Sequence, residues 1–433
     1  MQLLHIFITT LSIFLMARYA PFSKIKQLLF AFSYFFFYEY NIISRNYALG
    51  ILFITCYALL LCRERKNYPL IALTLFLLAN SHFIALILSI PLAVVCLLEM
   101  QREEAVTKKT WGLVLTVMAT GILLGILQIL PVEDTIFAHV AKPAFFSMDR
   151  LRAFTVPFKA FYHFPDLREP YPLNTNIFTA NKLIGTVLAL IFPFILIKAF
   201  GNKPLSLLIV LLTSIGICSF FYTELMYNYT VRHWGYIFLA YYVAVWLSYG
   251  LDQRNYTPYL HRFIPPFLTR ENKWISQGLF YSTLILQVVA AGYAYTMDLQ
   301  KNFCNAKEAA QYIQQHHYEN ELIILSSFNA GAAVSAYLDK PLYYPEYKGW
   351  GSYGKWTVMT WQVSKEELIE QIHSLNNHKQ AYLLMDSEIL TIDKLRDEIV
   401  FSDEYCSIQY ITRFDDGIIN HEKFKFYKIT YLK

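Results

Sequence analysis

Apolar runs of about 18 or more residues recur from the N-terminus to about Met297. Each is long enough to cross the hydrocarbon core of a bilayer as a helix, and inside lipid a helix satisfies its own backbone polar groups. The chain is therefore expected to be a polytopic α-helical membrane protein. Composition agrees: of 433 residues, 16% are charged and 56% hydrophobic, whereas a soluble domain carries about 25% charged residues. The first run, 3–19, lacks a positive leader and a small-residue cleavage site, so it reads as a retained helix and not a cleaved signal.

About ten transmembrane helices are expected, at 3–20, 27–42, 46–62, 68–80, 82–99, 111–130, 182–200, 204–221, 231–249 and 277–296. Two pairs, 27–62 and 68–99, are continuous apolar runs divided at polar residues. Five turns carry the positive charge: Lys24/Lys26, Arg63/Arg65/Lys66, Arg102/Lys108/Lys109, Lys198/Lys203 and Arg254/Arg262/Arg270/Lys273. They alternate along the chain so that all five fall on one side, the cytoplasmic side by the positive-inside rule. The other side carries the turn 39–45, Asn80 to His82, the loop 131–181, the turn 224–233 and everything after about Thr296. The net charge of +5 is spread over those turns and reads as a topology signal, not a nucleic-acid surface. No Gly-rich phosphate loop or basic tail is present.

Two regions follow: 1–300, a transmembrane domain with the long external loop 131–181, and 301–433, a soluble extracytoplasmic α/β domain. In the second, helices are expected at 305–316, 330–338 and 365–375, and strands at 321–326, 380–385 and 423–432. The loop 131–181 mixes aromatic and basic residues in a way that suits a segment on the membrane interface. Of the six cysteines, Cys304 and Cys406 lie in the C-terminal region, where an oxidising compartment would allow them to pair.

Polar residues at the ends of apolar runs are the candidate site. Glu39 and Arg45 interrupt the first continuous run. There a carboxylate can accept a proton from an acceptor hydroxyl and a guanidinium can hold a phosphate through two hydrogen bonds. A structural ion pair fixing the turn is the alternative. Tyr47 flanks them. Asn80 and His82 sit in the second interruption as substrate and phosphate contacts, or as a polar turn. Arg232 and His233 precede a strong span and suit a lipid phosphate, or a snorkelling arginine. Glu133, Asp134 and Glu224 are candidate metal or acceptor ligands, so a divalent metal is the one cofactor open to expectation.

The stretch Ser44-Arg45-Asn46-Tyr47-Ala48-Leu49-Gly50, leading to a basic turn at Cys62-Arg63-Glu64-Arg65, resembles the membrane glycosyltransferases of the GT-C fold. The likeness is to those related to protein O-mannosyltransferases and lipid A aminoarabinose transferases. The turn Ala79-Asn80-Ser81-His82-Phe83, the pair Arg232-His233 and an external C-terminal α/β domain fit the same pattern. The resemblance implies a bacterial inner (plasma) membrane enzyme with a periplasmic or extracellular C-terminal domain. It would take a sugar from a polyprenyl-phosphate donor to a lipid, glycan or protein acceptor, with Arg45 and Arg232 on the donor phosphate. Two departures stand out. Ile43 occupies the position where the family places an acid, the nearest acid being Glu39. The family's first helix and first external loop, which carry its catalytic aspartate, are expected to be missing. A transporter of polyprenyl-linked glycans and an inactive relic of the enzyme are the competing expectations; against the first, no internal repeat is visible.

Overall fold

The computed structural model describes residues 2–432 apart from positions 44, 104, 131–147, 170–171, 225–229, 262–263, 271, 328–330, 355–362, 378, 387–388, 391–397 and 420–421. Residue contacts divide the chain into two units, the first ending at Tyr295 and the second running from Thr296.

The first unit is helical. It begins with α1 (Gln2–Tyr19) and α2 (Lys24–Ala31), followed by a π-helix, Phe35–Ile42. Next come α3 (Tyr47–Leu61), α4 (Tyr68–Ala79), α5 (Phe83–Arg102) and α6 (Lys108–Ile129). The short helices α7 (Met148–Leu151) and α8 (Val156–Phe161) precede α9 (Lys182–Phe200), α10 (Pro204–Glu224) and α11 (Val231–Gly250). Then α12 (Thr257–Leu260) and α13 (Pro266–Thr269) lead into α14 (Lys273–Gln300). Polar side chains start several of these helices by accepting free backbone N–H groups: Asn67 for α4, His82 for α5, Thr107 for α6 and Asn181 for α9.

Among the described residues, six helices are long and apolar enough to cross a membrane: α1, α5, α6, α9, α10 and α14. The other four expected spans take different forms. α3 and α4 are apolar but have only 15 and 12 residues. α11 has 20 residues, yet it carries Arg232, His233 and several Tyr and Trp. It is buried in protein almost throughout, so its polar groups face other helices. The segment expected as one span at 27–42 is broken. α2 stops at Ala31, and the Ser33 hydroxyl donates to the Phe30 carbonyl. The chain then winds more widely, with Ile43 N–H reaching five residues back to the Tyr38 carbonyl.

The part of the 131–181 loop within the described residues is partly buried and partly exposed, with Leu151, Phe154 and Leu167 open on its outer side. Val156, Ala160, Phe161 and His163 are buried, α8 packs on α11, and Gln287 of α14 donates to the carbonyls of Ala160 and Phe161. The stretch around α8 is thus packed into the bundle.

Two polar layers cap α5. At its C-terminal end Glu99 is buried and meets Lys66 at 3.3 Å, Arg102 at 3.4 Å and the Tyr256 hydroxyl at 2.8 Å. Lys66 also bonds Glu103 at 2.6 Å. At its N-terminal end stands His82. From His82 to Glu99 the helix rises about 26 Å, close to the thickness of a hydrocarbon core.

The second unit is an α/β layer structure. Its elements are α15 (Ala306–Gln315), β1 (Leu322–Ser326), α16 (Gly331–Leu338), β2 (Leu342–Tyr344), β3 (Gly349–Gly351), α17 (Lys365–Ser374), β4 (Gln380–Met385), β5 (Ile399–Ser402), β6 (Cys406–Phe414) and β7 (Phe424–Tyr431). The sheet order is β3-β2-β1-β4-β7-β6-β5. β2, β1 and β4 run parallel, with Leu322 opposite Ala381, and the remaining pairs are antiparallel. Along β1, Ile323 and Leu325 join one core with α15 and α16, while Leu322 and Ile324 join the other with α17. Both faces are covered, which explains the unbroken apolar run of β1. All six expected elements are present; β2, β3, β5 and β6 are additional.

Cys304 and Cys406 are both free thiols. They pack against opposite faces of the sheet, Cys304 with the α15 side and Cys406 with the α17 side, so the expected pairing is not made.

Candidate functional site

Three regions of the sequence meet at the His82 end of the bundle: the π-helix with the start of α3, the cap of α5 and the start of α11. Glu39, on the π-helix, is 6% exposed. Its Oε2 accepts from the Tyr34 hydroxyl at 3.1 Å and its Oε1 faces Arg45 Nη1 at 3.9 Å. The Arg232 guanidinium lies close enough to act electrostatically on both Glu39 and Tyr47. The Tyr40 hydroxyl donates to the Arg232 carbonyl at 2.6 Å, and the Tyr40 ring stacks on Tyr47 at 5.4 Å.

The histidines complete the cluster. Tyr47 lies 4.4 Å from the His82 ring, and His82 stacks on His233 at 5.9 Å. His82 Nδ1 accepts the Ile84 N–H at 3.2 Å; a backbone N–H can only donate, so the neutral ring carries its proton on Nε2. His233 Nδ1 is 2.9 Å from Thr230 Oγ1. Asn46 donates to the Ser81 carbonyl, and Asn174 accepts the Val231 N–H, which ties the 131–181 loop to the start of α11.

Two glycines permit this convergence. A Cβ at Gly235 would overlap the Phe35 ring and the Tyr40 hydroxyl, and one at Gly50 would overlap the Tyr236 hydroxyl. Only a residue without a side chain lets α11 lie this close to the π-helix and to α3.

Charge at the site is unbalanced. Among the described residues, the guanidiniums of Arg45 and Arg232 face the single carboxylate of Glu39, leaving one positive charge in a half-buried setting. Such a site attracts a monoanion with several acceptor oxygens, which is what a phosphodiester is.

The first unit also holds apolar space outside the cluster. A cavity of about 830 Å³ opens between the 148–180 region and helices α9 and α10, lined by Phe158, Leu190, Pro193, Leu211 and Ile215 together with Lys159. The Lys159 ammonium sits 5.1 Å over the Trp234 ring, one residue from His233. A smaller cavity of about 360 Å³ touches Asn80, Ser81, His82 and Gln128.

The structure thus brings together Glu39, Arg45, Tyr47, His82, Arg232 and His233. Asn80 is placed differently. Its amide donates to the carbonyls of Phe76 and Gly121 and its oxygen accepts from Gln128, so it ties α4 to α6. Glu133 and Asp134 lie outside the described residues, as does the side chain of Glu224. Among the described residues, one group has metal-ligand atoms near enough to share an ion: His373, Asp403 and Cys406 of the second unit. The sequence reading takes Tyr40 for an interface aromatic and misses Tyr34, Lys159 and His163. His163 is fully buried, its ring tilted against that of Tyr34 with centroids 4.1 Å apart, and has no hydrogen-bond partner for either ring nitrogen among the described residues. Its position in a stretch read as a surface loop hid it.

The chain matches no known protein family, no curated protein and no solved structure.

Proposed function

We propose that the protein is a membrane glycosyltransferase that moves a sugar from a polyprenyl-phosphate donor to a lipid, glycan or protein acceptor. The observation that carries this reading is the meeting of Arg45, Arg232 and Glu39 at one end of the bundle, with an excess positive charge. An isoprenoid chain suits the apolar cavity beside α9 and α10, and its phosphate suits the two guanidiniums. Resemblance to GT-C glycosyltransferases in the 44–65 stretch points the same way.

In this reading Arg45 and Arg232 hold the donor phosphate, with His82, His233 and Tyr47 around it. Glu39 takes the proton of the acceptor hydroxyl. The acceptor oxygen bonds to the anomeric carbon as the bond from that carbon to the phosphate oxygen breaks, with inversion. Polyprenyl phosphate leaves, its added charge balanced by the guanidiniums. The site faces the outer side of a bacterial inner membrane, all ten expected segments cross or enter the bilayer, and the second unit is periplasmic or extracellular. The layer around Lys66 and Arg102, rich in positive residues, lies at the cytoplasmic end, which accords with the positive-inside rule.

The test is sugar transfer in membranes holding the full chain and a polyprenyl-phosphate-linked donor. Arg45→Ala and Arg232→Ala are each expected to lower transfer at least about tenfold, the scale of a charged hydrogen bond lost to a developing anion. Arg232→Lys should recover part of it, because charge survives without the two-pronged contact. Wild-type transfer in both alanine variants would remove the site assignment, and absence of transfer from every polyprenyl donor would remove the enzyme class.

A further inference from the structure

The second unit holds a cluster that the proposed transfer does not use. His373 lies in the last turn of α17, and Asp403 and Cys406 form the turn between β5 and β6. One ligand atom from each, an imidazole nitrogen, a carboxylate oxygen and a thiol sulfur, lies within 4.8 Å of the other two. We propose that His373, Asp403 and Cys406 bind a zinc ion that fastens α17 to the β5–β6 turn.

The cluster is organised as a binding site and not only as a surface ion pair. Cys406 is fully buried, while the side chains of His373 and Asp403 are 28% and 27% exposed, so the group opens to solvent on one side. Asp403 Oδ1 is fixed by the N–H groups of Tyr405 and Cys406, each at 2.8 Å, which leaves Oδ2 as the free donor atom. The His373 ring is held against Tyr405, with centroids 4.9 Å apart. Groups beyond the ligands thus orient two of the three, as at known metal centres.

His373 Nε2 lies 2.8 Å from Asp403 Oδ2, an imidazole–carboxylate pair with the Cys406 sulfur as its third neighbour within ligand distance. A metal ion can replace the proton shared by this pair, with the thiolate as its third ligand. In a tetrahedral zinc site the edge between nitrogen and oxygen ligands is about 3.3 Å, so the pair opens by about half an ångström on binding. The donor set selects the metal. Sulfur and imidazole with one carboxylate suit zinc, whereas magnesium and calcium require oxygen. Three protein ligands leave a fourth position for water on the open side.

The experiment uses the full chain purified in detergent and stripped with a chelator. Cobalt(II), a spectroscopic stand-in for zinc, is titrated first, and zinc is then measured by competition with a chromophoric chelator. The expected result is a thiolate-to-cobalt charge-transfer band that zinc abolishes. Cys406→Ser should lose the band and His373→Ala should weaken zinc binding at least tenfold. Because His373 is partly exposed on its helix, His373→Ala tests the site even if the buried serine variant fails to fold. Absence of the band in the wild-type chain, or a band and zinc affinity unchanged in His373→Ala, would overturn the proposal.

Discussion

A methyl group at position 235 would overlap the ring of Phe35 and the hydroxyl of Tyr40. Neither neighbour can retreat easily, since both are fully buried. Gly235→Ala is therefore expected to cost about 1–3 kcal/mol, the usual range for overpacking, and to lower the melting temperature in detergent. An unchanged melting temperature would mean that α11 does not pack on the π-helix as described. In the second unit, Glu346 follows β2 and accepts from the Ser326 hydroxyl at 2.8 Å, and its other oxygen is buried without a partner among the described residues. Burial pushes its carboxyl up to about 7, against the opposing pull of the Ser326 bond. The folded chain then keeps a proton that the unfolded chain loses above about 4.5, so stability falls as pH rises from there through about 7. A shift of this size corresponds to about 3 kcal/mol. Glu346→Gln should flatten that slope between pH 5 and 8, read by hydrogen-exchange protection of β1 after correction for the intrinsic rate. Equal slopes in the two proteins would disprove it.

Elements differed in how well the sequence revealed them. α15, α16, α17, β1, β4 and β7 were readable because each contains a periodic or unbroken apolar pattern long enough to see. β2 and β3, of three residues each, carry no period at all. α17 also announces its start: Ser364 accepts the Glu367 N–H while Glu367 accepts the Ser364 N–H. Ser364→Ala should destabilise α17 locally by about 1 kcal/mol, visible as faster exchange of its first-turn amides. The π-helix was not readable. Its residues are as apolar as any span, and the wider winding depends on what α11 and Tyr34 press against it. α11 was expected as a lipid-crossing span from length alone; the tyrosines and His233 on all its faces mark a helix surrounded by protein.

At the scale of the whole chain, the candidate site was legible as separate polar interruptions and not as a cluster. Glu39, Arg45, His82 and Arg232 stood out because charge is rare in such sequences. That they meet is a matter of helix packing, which no local pattern records. Lys159 and His163 stayed hidden because loop length suggested the surface. The two polar layers at the ends of α5 imply that α3, whose 15 residues rise only about 22 Å, still runs from one layer to the other. In a cysteine-free background, Asn46→Cys before α3 and Glu64→Cys after it are expected to react with a membrane-impermeant maleimide from opposite sides, Asn46→Cys from outside. Labelling of both from one side would deny α3 a crossing.

The π-helix has one more consequence. A π turn holds one residue more than an α turn, so the segment Phe35–Ile42 behaves like a stretch into which extra chain length has been spliced. Removing a single residue there would let the backbone relax to ordinary winding. Everything downstream would then shift in rotation and in rise relative to what precedes it. Glu39 would swing away from Arg45 and Arg232 although no side chain at the site had changed. The arrangement is thus encoded in the number of residues between Ser33 and Arg45 as much as in their identity, and this segment should tolerate substitution far better than deletion.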